Sequence, residues 1–364
     1  MNKWLLFLFL PFCLIGQGEY NQWRFGYGSG LDFNSGSPIV VQSSIQSPES
    51  AASVSDCSGQ LLFYTDGETV WSWNNSMMDG GFDLRGVGGV YPSSQGAVIV
   101  KRPNSSSIYF IFTASDIYGV NYSVVNMAAN GGLGKVIQKN TKLSSGLTQK
   151  LGVTYHQNQK DIWVITHYQN SNLYEAFLVN QTGISPSSVK SPVGPTFTSS
   201  HGDIKFNQQG TKVGAVVQDQ NLITLADFNN ATGLVSNSIG IIGQINSPHG
   251  CEFSSSGNKF YVSAWGLNGG VIQFQVASNN STTLTTNVQN ISGNFKPNGS
   301  LQLAPDGKIY VAHEPDFWSV GSYLGVINYP QNTGSSAGFN KDGIYLGSSG
   351  SSWELPNVTL TNNN

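Results

Sequence analysis

The sequence predicts an all-β protein: a seven-bladed β-propeller of four-stranded blades, closed by a composite blade from both termini. One phrase recurs six times, as a small or polar residue, a short apolar stretch, a tight turn, and then an apolar run rich in Tyr, Phe and Val. Its versions begin at Ala52, Gly96, Leu151, Asp203, Gly250 and Ser300. The turns at Gly59, Ser106, Lys160, Gly210, Gly257 and Gly307 fall about 47 to 54 residues apart, the length that builds one blade. Composition agrees, since charged residues are only 10% and aromatics 12% of 364 residues with 43 glycines, a balance of short strands and frequent turns. The two ends of the chain have complementary deficits, which supplies the closure.

At the N-terminus, Lys3 precedes an apolar run from Trp4 to Ile15, with small residues at Gly16 and Gly18. This reads as an export signal over residues 1–18, too short for a stable membrane anchor. The propeller then occupies 19–360, and 361–364 is a polar tail. Trp23–Phe25, Leu31–Phe33 and Ile39–Val41 are apolar segments ahead of the first full repeat. The fourth repeat divides into Asp203–Phe206, Lys212–Val217, Leu222–Phe228 and Leu234–Ile242, and the sixth into Leu301–Leu303, Ile309–Ala312, Tyr323–Asn328 and Ile344–Leu346. Glu354–Leu360 then looks like a first strand with nothing after it. Joined to the N-terminal segments, it makes the seventh blade and removes exposed sheet edges. Cys57 and Cys251 fall in non-adjacent repeats, too far apart to bridge.

The phrases Trp23-Arg24-Phe25-Gly26, Gly59-Gln60-Leu61-Leu62-Phe63-Tyr64-Thr65-Asp66-Gly67, Asn130-Gly131-Gly132-Leu133-Gly134, Leu301-Gln302-Leu303-Ala304-Pro305-Asp306-Gly307 and Leu355-Pro356-Asn357 form an ordered set. As a set, they resemble the propeller region of the gliding-motility-associated, type IX-secreted surface proteins of gliding bacteria. The resemblance implies an exported surface protein, and such proteins typically carry immunoglobulin-like repeats and a C-terminal sorting domain. No sorting domain follows the closing strand before Asn364, so the sequence reads as a truncated product or a stand-alone propeller. The family supplies no established catalytic residues to transfer.

Propeller geometry sends the loops leading into first strands, and those joining second to third strands, to one mouth of the central channel. His167, His201, His249 and His313 fall in those loops, with Asp66, Asp116, Asp219, Trp265, Glu314, Asp316 and Trp318. His201 and His249, each followed by Gly, read as structural, bonding nearby backbone. The insertion from Glu314 to Val320 is different, because an irregular loop carrying Phe317 and Trp318 beside carboxylates reads as an interaction site. The candidate partner-binding residues are therefore His313, Glu314, Asp316, Phe317, Trp318, His167, Trp265, Asp66 and Asp116.

Other chemistry leaves no clear pattern. No histidine pair has short metal-ligand spacing, no calcium loop is present, and no serine sits in a nucleophile elbow. The sequence thus implies neither metal nor cofactor, and a net charge of -3 offers no basic face for nucleic acid. These readings converge on a non-catalytic propeller at the extracellular or outer-membrane surface that binds a protein or glycan. A docking subunit of an outer-membrane assembly, or a hydrolase or lyase working at the channel mouth, are the alternatives.

Overall fold

The computed structural model describes residues 18–88, 91–265, 269–276, 288–293, 295, 298–314 and 319–358. Seven antiparallel blades stand in a ring, a seven-bladed β-propeller. The innermost strands of the six repeats are Ala52–Ser55, Ala97–Lys101, Gly152–Tyr155, Ile204–Phe206, Pro248–Phe253 and Asn298–Leu303. Each pairs with the strand that follows it, so the polypeptide meanders outward from the axis. The fourth repeat follows the sequence pattern closely, with strands Ile204–Phe206, Lys212–Val217, Leu222–Asn229 and Leu234–Ile242. Its first turn needs a left-handed residue, and Gly210 supplies it at φ +63°. In the third repeat, Val189–Phe197 also pairs with Ser171–Asn180, beside the short strand Gly183–Ile184.

The core is distributed between blades, as strand alternation dictates when a sheet buries both faces. Separate apolar clusters join repeats 1 and 2, 2 and 3, 3 and 4, 4 and 5, and 5 and 6. One more cluster spans the sixth repeat, the closing blade and the first repeat. In it, Trp23, Phe33 and Tyr310 meet edge to face at 4.8 to 5.6 Å. Each such fully buried side chain contributes about 1.5–3 kcal/mol of transfer free energy.

The closing blade consists of Gln22–Phe25, Tyr27–Asp32 and Ile39–Gln46, with the C-terminal segment against it. Leu355 and Val358 are buried there with Trp23 and Phe25. The expected innermost strand is nevertheless not a regular ladder strand over 354–358, while 359 and 360 lie outside the described residues. Pro356 has no N–H to give, which breaks a continuous ladder. The neighbouring amides are satisfied elsewhere: Asn357 N–H donates to Ala51 O at 2.8 Å and Leu355 N–H to Ser300 Oγ at 2.7 Å.

Cys251 is a free, buried thiol, whereas Cys57 is disulfide-bonded to a partner other than Cys251, which corrects the expectation of a protein without disulfides. Among the described residues, no helix is long and apolar enough to cross a membrane. The signal read at 1–18 and the polar tail at 361–364 fall, apart from Gly18, outside the described residues.

Candidate functional site: a polar layer in the channel

The segments that lead into or open the innermost strands converge at one end of the channel, because every repeat enters its blade from that end. They bring in Ser50, Gln95, Lys150, Asp203, His249, Ser300 and, in the closing blade, Glu354, at positions that differ from repeat to repeat. All seven are buried. Glu49 lies one residue before Ser50, and Glu314 just after the second strand of the sixth repeat; both are buried as well. A small set of charges is thereby drawn together in a low-dielectric space.

Their hydrogen bonds are uneven. The Lys150 ammonium donates to Ser200 O and His201 O, both at 2.7 Å. His249 is held from both sides, by Gln218 Oε1 at 3.0 Å on Nδ1 and by Glu354 Oε1 at 2.9 Å on Nε2. Glu314 accepts from the Ser352 hydroxyl. Neither carboxylate oxygen of Asp203 makes a hydrogen bond, nor does Glu49 Oε2. Buried polar atoms usually find partners, so a bare carboxylate is a costly exception.

The electrostatics follow from this crowding. Burial, aided by the negative charge of Glu354, pushes the Asp203 carboxyl up to about 7. Burial pulls the Lys150 ammonium down to about 7, opposed by the charge of Asp203. Glu49 and Glu354 are pushed well above the usual carboxylate range by burial, and for Glu49 also by Glu354, Asp203 and Glu314. The layer therefore holds fewer charges than it has ionisable groups and keeps a proton acceptor and a proton donor poised near neutrality.

Just outside, Ser199 Oγ donates to Asp219 Oδ2, and His201 Nδ1 lies 3.4 Å from the same oxygen. These residue types resemble a hydrolytic triad, but serine and histidine both face the carboxylate instead of each other, so no base addresses the serine. Among the described residues, no group of three or more His, Cys, Asp or Glu side chains is placed to hold a metal ion.

Two or three residues further along the chain lies a second layer, of Lys205, Glu252, Gln302 and Asn357. These four line a cavity of about 20 Å³, room for roughly one water.

The residues singled out from sequence are dispersed. Glu314 belongs to the polar layer. His313 is buried with its ring edge-on to Phe295 at 4.6 Å, and burial lowers its pKa. His167 is fully buried, stacked on Phe197 at 3.7 Å and bonded through Nδ1 to Tyr168 O, with burial lowering its pKa to about 3. It packs within its blade, which corrects its assignment to an open recognition face. Asp66 is half-buried and closes a turn by accepting from the amides of Glu68 and Thr69. Asp116 is exposed. Trp265 meets Trp353 edge to face at 6.0 Å. Asp316, Phe317 and Trp318 lie outside the described residues. His249, read from sequence as bonding local backbone, instead bonds two side chains across the channel.

Sequence reasoning missed Lys150, Asp203 and Glu354. Strand pairing aligns Asp203 with Gly152, Gly250 and Ser300, so comparison of the repeats does not single these charges out.

No protein-family model matches the chain, and no curated protein matches it significantly. Solved structures do share its shape. A candidate 6-phosphogluconolactonase from Bacteroides fragilis is 13% identical, with a TM-score of 0.55 over 87% of this chain and 92% of that one. The periplasmic gluconolactonase PpgL of Pseudomonas aeruginosa is 13% identical, with a TM-score of 0.53 over 92% and 98%. The Cps50 (Swd1) propeller domain of Myceliophteria thermophila is 10% identical, with a TM-score of 0.50 over 82% and 95%. At these identities the likeness establishes the fold alone. It also corrects the reading of the chain as a non-enzyme, because propellers of this shape include proteins named as lactonases.

Proposed function

We propose that this propeller is a hydrolase of small, polyhydroxylated esters, sugar lactones in the first instance, with the polar layer as its site. The carrying observation is Asp203, a buried carboxylate with neither oxygen hydrogen-bonded. A general base works best when its pKa lies near the working pH, and Asp203, pushed up to about 7, meets that condition. In the proposed reaction, Asp203 accepts a proton from water as the water oxygen bonds to the lactone carbonyl carbon. Charged Lys150 stabilises the developing oxyanion. The ring C–O bond then breaks, and the leaving alkoxide takes the proton from Asp203. His249, with both ring nitrogens taken by Gln218 and Glu354, braces the wall of the site. Crowded carboxylates favour a neutral substrate over an anionic one. The names of the lactonase propellers guide the choice of substrate class.

The test is hydrolysis of a panel of sugar lactones and aryl esters by the wild type, Asp203→Asn and Lys150→Met. Turnover by the wild type, falling at least about 100-fold in Asp203→Asn with the fold retained, is the expected result. Absence of turnover on the whole panel, or an undiminished Asp203→Asn, overturns it.

Export, and the surface location implied by the sequence resemblance, are proposed alongside. The N-terminus of the protein recovered from its native host is expected near Glu19, and an intact Met1 would refute cleavage at the predicted signal.

A further inference from the structure

We propose a second ligand site, for an organic anion bearing a phosphate or carboxylate group, on the face opposite the polar layer. The turns after the innermost strands of repeats 2 and 3 enclose a cavity of about 260 Å³ there. Lys101, Arg102 and Lys160 all line it. The whole chain has only 17 Lys and Arg among 364 residues, so three around one cavity is a local concentration of positive charge. Among the described lining residues the one carboxylate is Glu19, and it is engaged with Lys101 at 3.3 Å. Arg102 and Lys160 have no such counter-charge among the ion pairs of the described residues.

Two donors sharpen the reading. Arg102 Nε is buried and makes no hydrogen bond, a deficit that an acceptor entering the cavity would relieve. Ser105 Oγ already accepts from the amides of Ser107 at 3.3 Å and Ile108 at 3.0 Å, which leaves its hydroxyl proton to donate. Guanidinium, ammonium and hydroxyl together are the donor set that recognises phosphate and carboxylate. The volume exceeds what a bare inorganic anion fills, and Tyr155 and Ile162 on the wall suit an apolar or ring-shaped body. None of these residues belongs to the polar layer, so the site stands or falls apart from the proposed hydrolysis.

Isothermal titration of the full chain with phenyl phosphate and, separately, benzoate tests it, with matched sodium chloride as the control. Saturable binding is expected, weakened at least tenfold by Arg102→Gln and measurably by Lys160→Gln, and declining as salt rises. Lys160 is exposed, so its variant keeps the test valid even if Arg102→Gln folds poorly. The stronger of the two probes identifies the head group. Heats no greater than those with chloride, or unchanged affinity in a folded Lys160→Gln, overturn the proposal.

Discussion

Asp203 and Lys205 lie two residues apart at the start of one innermost strand, where alternation places both on the same side, and both are buried. Lys205 donates to Gln302 Oε1 at 2.7 Å, and its neighbours in that second layer are likewise engaged. Glu252 accepts from the amides of Phe253 at 2.7 Å and Leu303 at 3.0 Å, and Asn357 donates to Leu151 O at 2.7 Å. One level up, Asp203 and Glu49 keep oxygens without hydrogen bonds, as do the hydroxyls of Ser50, Ser93 and Ser94. The same backbone thus carries a satisfied polar layer beside one that is satisfied only in part. Satisfied networks rigidify a fold, whereas polar atoms left bare are a cost that a ligand or reaction can redeem. On the proposed function, the lower layer is the cement of the channel and the upper layer its working surface.

That contrast predicts opposite responses to substitution. Lys205 lowers the pKa values of Asp203, Glu252 and Glu354, so its charge holds three buried carboxyls together. Lys205→Met should destabilise the fold by about 3–5 kcal/mol in urea unfolding. Asp203→Asn, which removes an unpaired buried charge, should leave stability at pH 7 undiminished or raised while abolishing turnover. Equal losses from both would erase the distinction between the layers.

A smaller effect is expected where the closing segment turns from apolar to polar. Leu355→Ala removes a side chain packed with Trp23 and Phe25, and should cost about 2–4 kcal/mol. Glu354→Gln, next door, should cost about 1 kcal/mol or less, since burial already favours the neutral carboxyl. A harmless Leu355→Ala in thermal melts would mean that the C-terminal segment does not help to close the ring.

The pH dependence separates the two charge types within the channel. For Asp203, raised from 3.8 to about 7, the folded state binds the extra proton, so its stabilising contribution is full below pH 3.8 and is lost as pH rises to about 7. Glu252, raised from 4.5 to about 7, acts in the same direction. Lys150 is depressed from 10.5 to about 7, so its contribution is full above pH 10.5 and is lost as pH falls to about 7. These groups together place a stability minimum near neutrality, with slopes of up to about 1.4 kcal/mol per pH unit for each group. Melting temperature against pH should show it, Asp203→Asn flattening the acid limb and Lys150→Met the alkaline one. A maximum at pH 7, unchanged in both variants, would remove the buried titration from the account.

Much of this architecture was legible because a blade repeats its grammar. Lys212–Val217 and Leu234–Ile242 carry the same bounds in sequence and structure, since alternation and turn residues are local signals. The closing segment was legible in position and not in form, because its sequence position marks the missing strand while Pro356 prevents the ladder. The site was harder to see. Histidines and tryptophans draw attention in a linear reading, yet His167 packs on Phe197, and the proposed chemistry rests on Lys150 and Asp203, which look ordinary in their own repeats. Only the ring brings them together, across a separation of 53 residues, 203 minus 150, and no periodicity within one blade encodes that meeting.

The smallest expected effect locates the boundary of the site. His201 touches Lys150 through its backbone carbonyl at 2.7 Å, while its ring faces outward to Asp219. A side chain about half exposed, in an ion pair at 3.4 Å, contributes little, because water and salt screen it. His201→Ala keeps the carbonyl and should therefore shift stability by less than about 0.5 kcal/mol and leave turnover within about twofold, since the hold on Lys150 is unchanged. Urea unfolding and the lactone assay measure the two quantities on one preparation. If turnover instead collapses while stability holds, the working residues are the outer Ser199, His201 and Asp219, and the buried layer beneath them is part of the cement.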